Sequence, residues 1–242
     1  MALHFLADVA DARVGETVAL TGSEAHHAAA VRRVRPGETV TVGDGRGVWL
    51  TGAVQSADPR AVIVRVTARD EVSPPARRVV LAQALAKGDR DELAVQAAIE
   101  LGVDEVVPWQ ASRSVSRWEG AKAVKGQRRW ESIVREAAKQ AHRPWLPVVT
   151  APASTADLAR RAAAALVLVL EPTAPAALSG VHLSGDREIL LVVGPEGGIA
   201  PEELTLLMDA GAIPVRLGDT VLRTSTAGPA ALAVVSVALG RW

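Results

Sequence analysis

Two runs of the chain, residues 166–170 (Leu-Val-Leu-Val-Leu) and 189–193 (Ile-Leu-Leu-Val-Val), are apolar at every position. A strand with one face in water alternates apolar and polar residues, so runs without polar positions belong in a sheet buried on both faces. Arg78-Val79-Val80-Leu81-Ala82, residues 103–108 and residues 213–217 read as further strands. Helical spacing predicts helices over 90–101, closed by Gly102, and over about 125–141, 156–165 and 201–210. A last helix over about 226–239 follows Thr224-Ser225-Thr226, residues suited to cap it. Apolar strands alternating with helices imply an α/β unit with a mostly parallel sheet.

The first 70 residues follow another rule. β-Branched runs at 18–20, 39–42, 47–51 and 61–66 are separated by turn residues, among them Pro36-Gly37 and Gly43-Asp44-Gly45. Such close spacing predicts a small β-barrel, interrupted by one short, Ser23-capped, alanine-rich helix over 23–31. Ser73-Pro74-Pro75 resists both helix and central strand, which places a boundary between domains 1–72 and 73–242. With 49% hydrophobic residues the chain has enough apolar side chains for a core, which excludes a disordered class. The absence of cysteine excludes disulfides, thiolate metal sites and a cysteine nucleophile. The longest apolar stretch, residues 162–170, is far shorter than the roughly 20 residues of a membrane span. The first residues lack the basic and apolar segments of a signal peptide, so a cytoplasmic location is expected, with no membrane partner. The histidines are scattered, and no metal site is expected.

Net charge is zero, from 27 basic and 27 acidic side chains. That total conceals a segregation: residues 77–147 carry net +4 and residues 148–242 net −3. Within 112–143 nine cations, Arg113, Arg117, Lys122, Lys125, Arg128, Arg129, Arg135, Lys139 and Arg143, face only Glu119, Glu131 and Glu136. Trp118, Trp130 and Trp145 lie in or beside the stretch and could stack bases, so a nucleic acid is one reading. A solvated helix face with a few packed tryptophans is the other.

Gly194-Pro195-Glu196-Gly197-Gly198 follows an apolar strand and precedes a helix that opens with Pro201, Glu202 and Glu203. Ligands of open α/β sheets bind at such strand ends. A nucleotide loop would carry a lysine or a bare helix N-terminus for phosphate, whereas these carboxylates repel it. The ligand is therefore phosphate-free and suited to be cationic. S-adenosylmethionine, an adenosine bearing a sulfonium and an amino acid, meets that description. A tight turn whose acids favour the helix dipole is the alternative. The polar loop 217–227, with the single arginine Arg223, supplies donors and acceptors suited to an adenine edge.

Gly194-Pro195-Glu196-Gly197-Gly198, Leu217-Gly218 and Val221-Leu222-Arg223-Thr224-x-Thr226-Ala227 resemble the SPOUT methyltransferases, specifically the RsmE family of ribosomal small-subunit RNA uracil-N3 methyltransferases. Leu81-Ala82-Gln83-Ala84-Leu85-Ala86-Lys87-Gly88-Asp89, Ala98-Ile99-Glu100-Leu101-Gly102-Val103, Ser112-Arg113-Ser114-Val115 and Glu136-Ala137-Ala138-Lys139-Gln140 extend the similarity along the chain. The resemblance implies a PUA-like RNA-binding β-barrel and a SPOUT α/β domain with a deep trefoil knot, the knot and cofactor site falling in about 166–235. It implies S-adenosylmethionine as cofactor, 16S rRNA of the small subunit as substrate, and a homodimer. The cofactor residues would be Leu170, Glu171, Gly194, Pro195, Gly197, Gly198, Leu217, Gly218, Val221, Leu222, Thr224 and Thr226. Arg32, Arg33, Arg113, Arg117, Arg128, Arg129, Lys139, Gln140 and Arg143 would meet RNA.

Arg223 and Glu196 are the catalytic candidates. Arg223 could stabilise charge developing on the base, or pair structurally with Glu196. Glu196 could meet the cofactor's cationic end, accept the N3 proton, or only shape the loop. Ser225 stands where the family commonly has Glu, which removes a carboxylate beside the pocket. A non-catalytic RNA-binding module and a ribose 2′-O methyltransferase of the same class are the rival readings.

Overall fold

The computed structural model describes residues 2–242, which form two compact units. Of the described residues, the first comprises 2–75 and 138–146, the second 76–137 and 147–242. Segment 138–146, which contains the C-terminal end of a long helix, thus belongs with the N-terminal unit, an excursion that local sequence patterns do not signal.

The first unit is built on a five-stranded sheet: β1 (Leu3–Leu6), β2 (Thr17–Thr21), β3 (Thr39–Gly43), β4 (Val48–Asp58) and β5 (Ala61–Glu71), in the order β1-β3-β4-β5-β2. Only the β1–β3 pairing is parallel. Register shifts in β4 against β5 lie on either side of Gly52–Val54 and curve the ribbon. At Gly52 a Cβ would stand 2.5 Å from Val64 Cγ1, so glycine is needed there for close approach. The helix over 23–31 is α1 (Gly22–His26) followed by a π-helical turn (His27–Val31). Ser23 does not cap it; Thr21 holds the N-cap position and makes no side-chain cap bond.

The second unit is a six-stranded, wholly parallel sheet. Its strands are β6 (Val79–Ala84), β7 (Glu105–Trp109), β8 (Val148–Val149), β9 (Ala165–Leu170), β10 (Glu188–Val193) and β11 (Ile213–Val215), in the order β11-β9-β10-β6-β7-β8. The helices are α2 (Arg90–Glu100), α3 (Ala121–Gln140), α4 (Thr155–Arg161), α5 (Pro201–Asp209) and α6 (Thr224–Ala238). β6, β9 and β10 are buried nearly throughout, as their unbroken apolar runs require. Gly102 takes φ +90° just past α2, where its N–H and that of Val103 close the last turn on Ile99 and Ala98. Ser154 and Asp157 cap α4 reciprocally, the serine hydroxyl accepting from the Asp157 N–H. Gly228 lets α6 lie close on β6, since a Cβ there would come 3.1 Å from Leu81 Cδ1. No helix among the described residues is long and apolar enough to cross a membrane.

Candidate functional site

In a parallel sheet every strand delivers its loop to the same edge, so residues far apart in sequence converge there. The loops after β9, β10 and β11, with the first turn of α2, enclose a cavity of about 390 Å³. The first loop contributes Leu170, Glu171 and Pro172, the second Gly194, Pro195, Glu196, Gly198 and Ile199. The third contributes Leu217, Gly218, Thr220, Val221, Leu222 and Arg223, and α6 adds Thr224 and Ala227. Gly197 and Thr226, two of the expected cofactor residues, do not line it. Arg90, Ile199 and Arg216 line it without having been singled out in the sequence.

The glycine loop is shaped by near contacts. A Cβ at Gly194 would stand 2.7 Å from Ile199 Cγ1, and Gly198 takes φ +73°. The Thr224 hydroxyl does not cap α6, whose N-cap residue is Arg223. It donates to the Gly194 carbonyl at 2.9 Å and accepts from Gln83 Nε2 at 2.8 Å. This relay ties β6, the glycine loop and the start of α6 together. Gln83, the one polar residue in β6, is fully buried, and its Oε1 has no hydrogen-bond partner among the described residues. A polar residue in an otherwise apolar strand was the available signal for it.

Of the roles open to Glu196 and Arg223, the geometry separates two. Glu196 Oε1 accepts from the Lys87 backbone N–H at 3.1 Å and from Arg90 Nη1 at 3.0 Å. Partial burial raises its pKa, but its own and Lys87's backbone N–H groups together with Arg90 outweigh that and hold the carboxyl below its ordinary value. A carboxylate so held stays ionised and is a poor proton acceptor. Its partner is Arg90, not Arg223, and the pair is invisible in the sequence because 106 positions separate the two. The Arg223 guanidinium makes no ion pair or hydrogen bond among the described residues, although it lines the cavity. Arg216, by contrast, is occupied by the carbonyls of Ala174 and Pro175.

The basic segment borders the glycine loop. Arg113 Nη1 donates to the Gly197 carbonyl at 3.1 Å. The preceding residue, Ser112, gives its N–H and hydroxyl to the Glu203 carboxylate at 3.0 and 2.8 Å. Thr155 Oγ1 donates to the same carboxylate at 2.6 Å, and the Ala200 N–H adds a longer bond. Arg117 and Arg128 are exposed, and Arg129 makes a two-pronged pair with Glu92 at 2.8–3.2 Å.

Lys139 corrects the expectation of an RNA contact. It is 7% exposed, with Nζ 2.9 Å from Glu24 Oε1, so the ammonium is closed off from phosphate inside the first unit. Gln140 is exposed and Arg143 half-buried; Arg32 and Arg33 are exposed, Arg33 at φ +55°. Trp130 is core, 1% exposed, and Trp145 donates its indole N–H to the Val72 carbonyl, whereas Trp118 is half-buried.

The chain is similar to known families and solved structures. Residues 73–236 match the family described as an RNA methyltransferase domain, and residues 20–67 the RNA methyltransferase PUA domain. The ribosomal RNA small subunit methyltransferase E of Mycobacterium bovis is 46% identical over 94% of this chain and 89% of its own length. That of Bacillus subtilis is 31% identical over 91% and 90%. The crystal structure of a ribosomal RNA small subunit methyltransferase E from Neisseria gonorrhoeae bound to S-adenosyl methionine superposes with a TM-score of 0.87 at 28% identity, over 98% of both chains. A putative methyltransferase from Legionella pneumophila in complex with the same cofactor gives 0.88 at 28% identity. With two family matches in order along the chain and relatives of matching length, the protein belongs to the ribosomal RNA small subunit methyltransferase E family.

Proposed function

We propose that this protein transfers a methyl group from S-adenosylmethionine to N3 of a uracil in 16S rRNA of the small ribosomal subunit. The observation that carries the reading is the Arg223 guanidinium, which makes no ion pair or hydrogen bond among the described residues and lines a cavity whose other two arginines are held, Arg90 by Glu196 and Arg216 by backbone carbonyls. The residues present fit the cofactor. Leu170, Ile199, Leu217 and Leu222 offer apolar walls to an adenosine, and Glu171 and Glu196 offer negative charge to the cationic end. S-adenosylmethionine supplies, when bound, a methyl group on a sulfonium, open to in-line displacement.

The chain's own residues then have three tasks. Gln83, Thr224 and the Gly194 carbonyl keep the pocket wall in register. Arg223 donates hydrogen bonds to uracil O2 or O4 and so lowers the cost of releasing the N3 proton to solvent water as the methyl group moves from sulfur to N3. Glu196, held by Arg90 and Lys87, positions the loop and does not take that proton. Ser225, half-buried in the first turn of α6, offers no carboxylate in its place. Arg113, Arg117 and Arg128, with Arg32, Arg33, Gln140 and Arg143 of the first unit, would hold RNA backbone.

The same reading includes a homodimer, a cytoplasmic location, a boundary near residue 73 and a trefoil knot. What supports the knot is the path after β11: Arg216 hydrogen-bonds the connection between β9 and β10 through Ala174, Pro175 and Ala176, before the chain returns to pack α6 on β6 and β10. The test is to incubate purified protein with methyl-labelled S-adenosylmethionine and small subunits from a strain lacking the enzyme, then analyse nucleosides by mass spectrometry. The expected product is 3-methyluridine. A 2′-O-methyl nucleoside would replace the base by the ribose as acceptor. Absence of both transfer and calorimetric cofactor binding would leave an RNA-binding module. Light scattering checks the dimer.

A further inference from the structure

A second concavity lies on the far side of the first turn of α2. Arg90 faces the methyl-transfer cavity, while Glu92, two residues on, lines a groove of about 490 Å³. Its other walls include Arg117, Trp118, Lys122, Lys125, Gly126 and Arg129. Three observations distinguish it from an ordinary solvated helix face.

First, the indole of Trp118 lies on α3 in place of a side chain. A Cβ at Gly126 would stand 2.4 Å from Trp118 Cε2 and 2.6 Å from Cδ2 and Cζ2. Glycine is disfavoured inside a helix, and here it provides the seat of one aromatic ring. Second, the ring is held firmly without being buried. Its edge packs on the core residue Trp130 at 5.2 Å and 71°, and its backbone N–H donates to Gln110 Oε1 at 2.9 Å, yet Trp118 stays half-exposed. Third, the charge around it is unbalanced. Glu92 neutralises Arg129, whereas Lys122 and Lys125, one turn apart on α3, are exposed and make no ion pair among the described residues.

A fixed, half-exposed indole in one groove with two exposed ammonium groups has the chemistry of an unpaired nucleotide site: a π-face for the base and cations for its phosphates. We propose that this groove is a second RNA-recognition site, in which an unpaired base of the substrate stacks on Trp118 while flanking phosphates meet Lys122 and Lys125. Sharing the first turn of α2 with the methyl-transfer cavity, it would anchor RNA beside the nucleotide being modified. The inference rests on the reading of the chain as an RNA methyltransferase.

The test measures affinity for purified 16S rRNA and for a fluorescent oligouridylate, with S-adenosylmethionine calorimetry run on every variant as a check of the fold and the cavity. Trp118→Ala is expected to weaken RNA binding about tenfold, and Trp118→Phe to restore most of it. Gly126→Ala, which leaves the indole in the chain but unseats it, is expected to weaken binding as well. Lys122→Gln with Lys125→Gln is expected to reduce the slope of log affinity against log salt by about 1.4, the release expected for two single-strand phosphate contacts. Cofactor affinity is expected to be unchanged throughout. Unchanged RNA affinity in Trp118→Ala overturns the proposal. So does a loss that Trp118→Phe fails to rescue, which would make the ring a packing element. If Trp118→Ala loses cofactor binding too, Gly126→Ala decides in its place. A parent protein that binds RNA but transfers no methyl refutes the enzymatic reading alone, because the groove is judged on binding.

Discussion

Arg223 and Glu196 stand on two loops of one cavity, yet the guanidinium has no ion pair among the described residues and the carboxylate is tied down. The difference sets opposite expectations. Arg223→Ala should lower kcat by about 100- to 1,000-fold, the range for loss of one donor to a developing anion, with cofactor affinity nearly unchanged. Single-turnover methylation beside calorimetry checks this; near-normal turnover would remove Arg223 from the chemistry. Glu196→Gln keeps the acceptor for Lys87 N–H and loses the charge that holds Arg90. It should cost less than about tenfold in kcat, whereas a proton acceptor would cost on the order of 100-fold or more. At this scale the two loop motifs in the sequence named most of the residues that line the cavity. It could not say which arginine pairs with Glu196, because that depends on the loop before α2 meeting the loop after β10.

Among the elements, α5 and the segment before α3 are joined by one buried carboxylate. Glu203 is 7% exposed and accepts from Ser112, Thr155 and Ala200. Burial pushes its pKa up, but those donors outweigh it and hold the carboxyl below its ordinary value. A depressed folded-state pKa gives stability that is present above about pH 4.5, the unfolded value, and is lost as pH falls through the folded one. Glu203→Ala should destabilise the protein by about 2–3 kcal/mol at neutral pH and reduce the loss of stability in acid. Denaturant titrations at pH 7 and pH 4 measure both; an unchanged acid slope would show that the network is held by other means. Ser112 carries Arg113, so the variant should also loosen the Arg113 contact to the Gly197 carbonyl. The helices themselves were legible from periodicity and, at the end of α2, from Gly102. Thr224 misled because its hydroxyl reaches the Gly194 carbonyl, and competition of that kind is set by what the helix end faces.

For the molecule as a whole, a ligand that binds only the folded chain stabilises it by mass action. At a hundredfold excess over its Kd, S-adenosylmethionine should add about 2.7 kcal/mol and raise the unfolding midpoint by several degrees. Calorimetric scans with and without cofactor check this, and an unmoved midpoint would argue against the cavity as its site. The zero net charge, read alone, argues against a nucleic-acid partner; its segregation into a basic segment and an acidic C-terminal part reverses that argument. The sequence by itself determined the two kinds of architecture, because apolar runs without polar positions have only a doubly covered sheet to occupy. It also determined the two motif-bearing loops, because their residues are contiguous. Only the tertiary structure decided the strand order, the placement of residues 138–146 in the first unit and the burial of Lys139 against Glu24. The same holds for the Arg90–Glu196 pair and the seating of Trp118 on Gly126. Each of these joins positions that share no local period, and long-range packing alone brings them within contact.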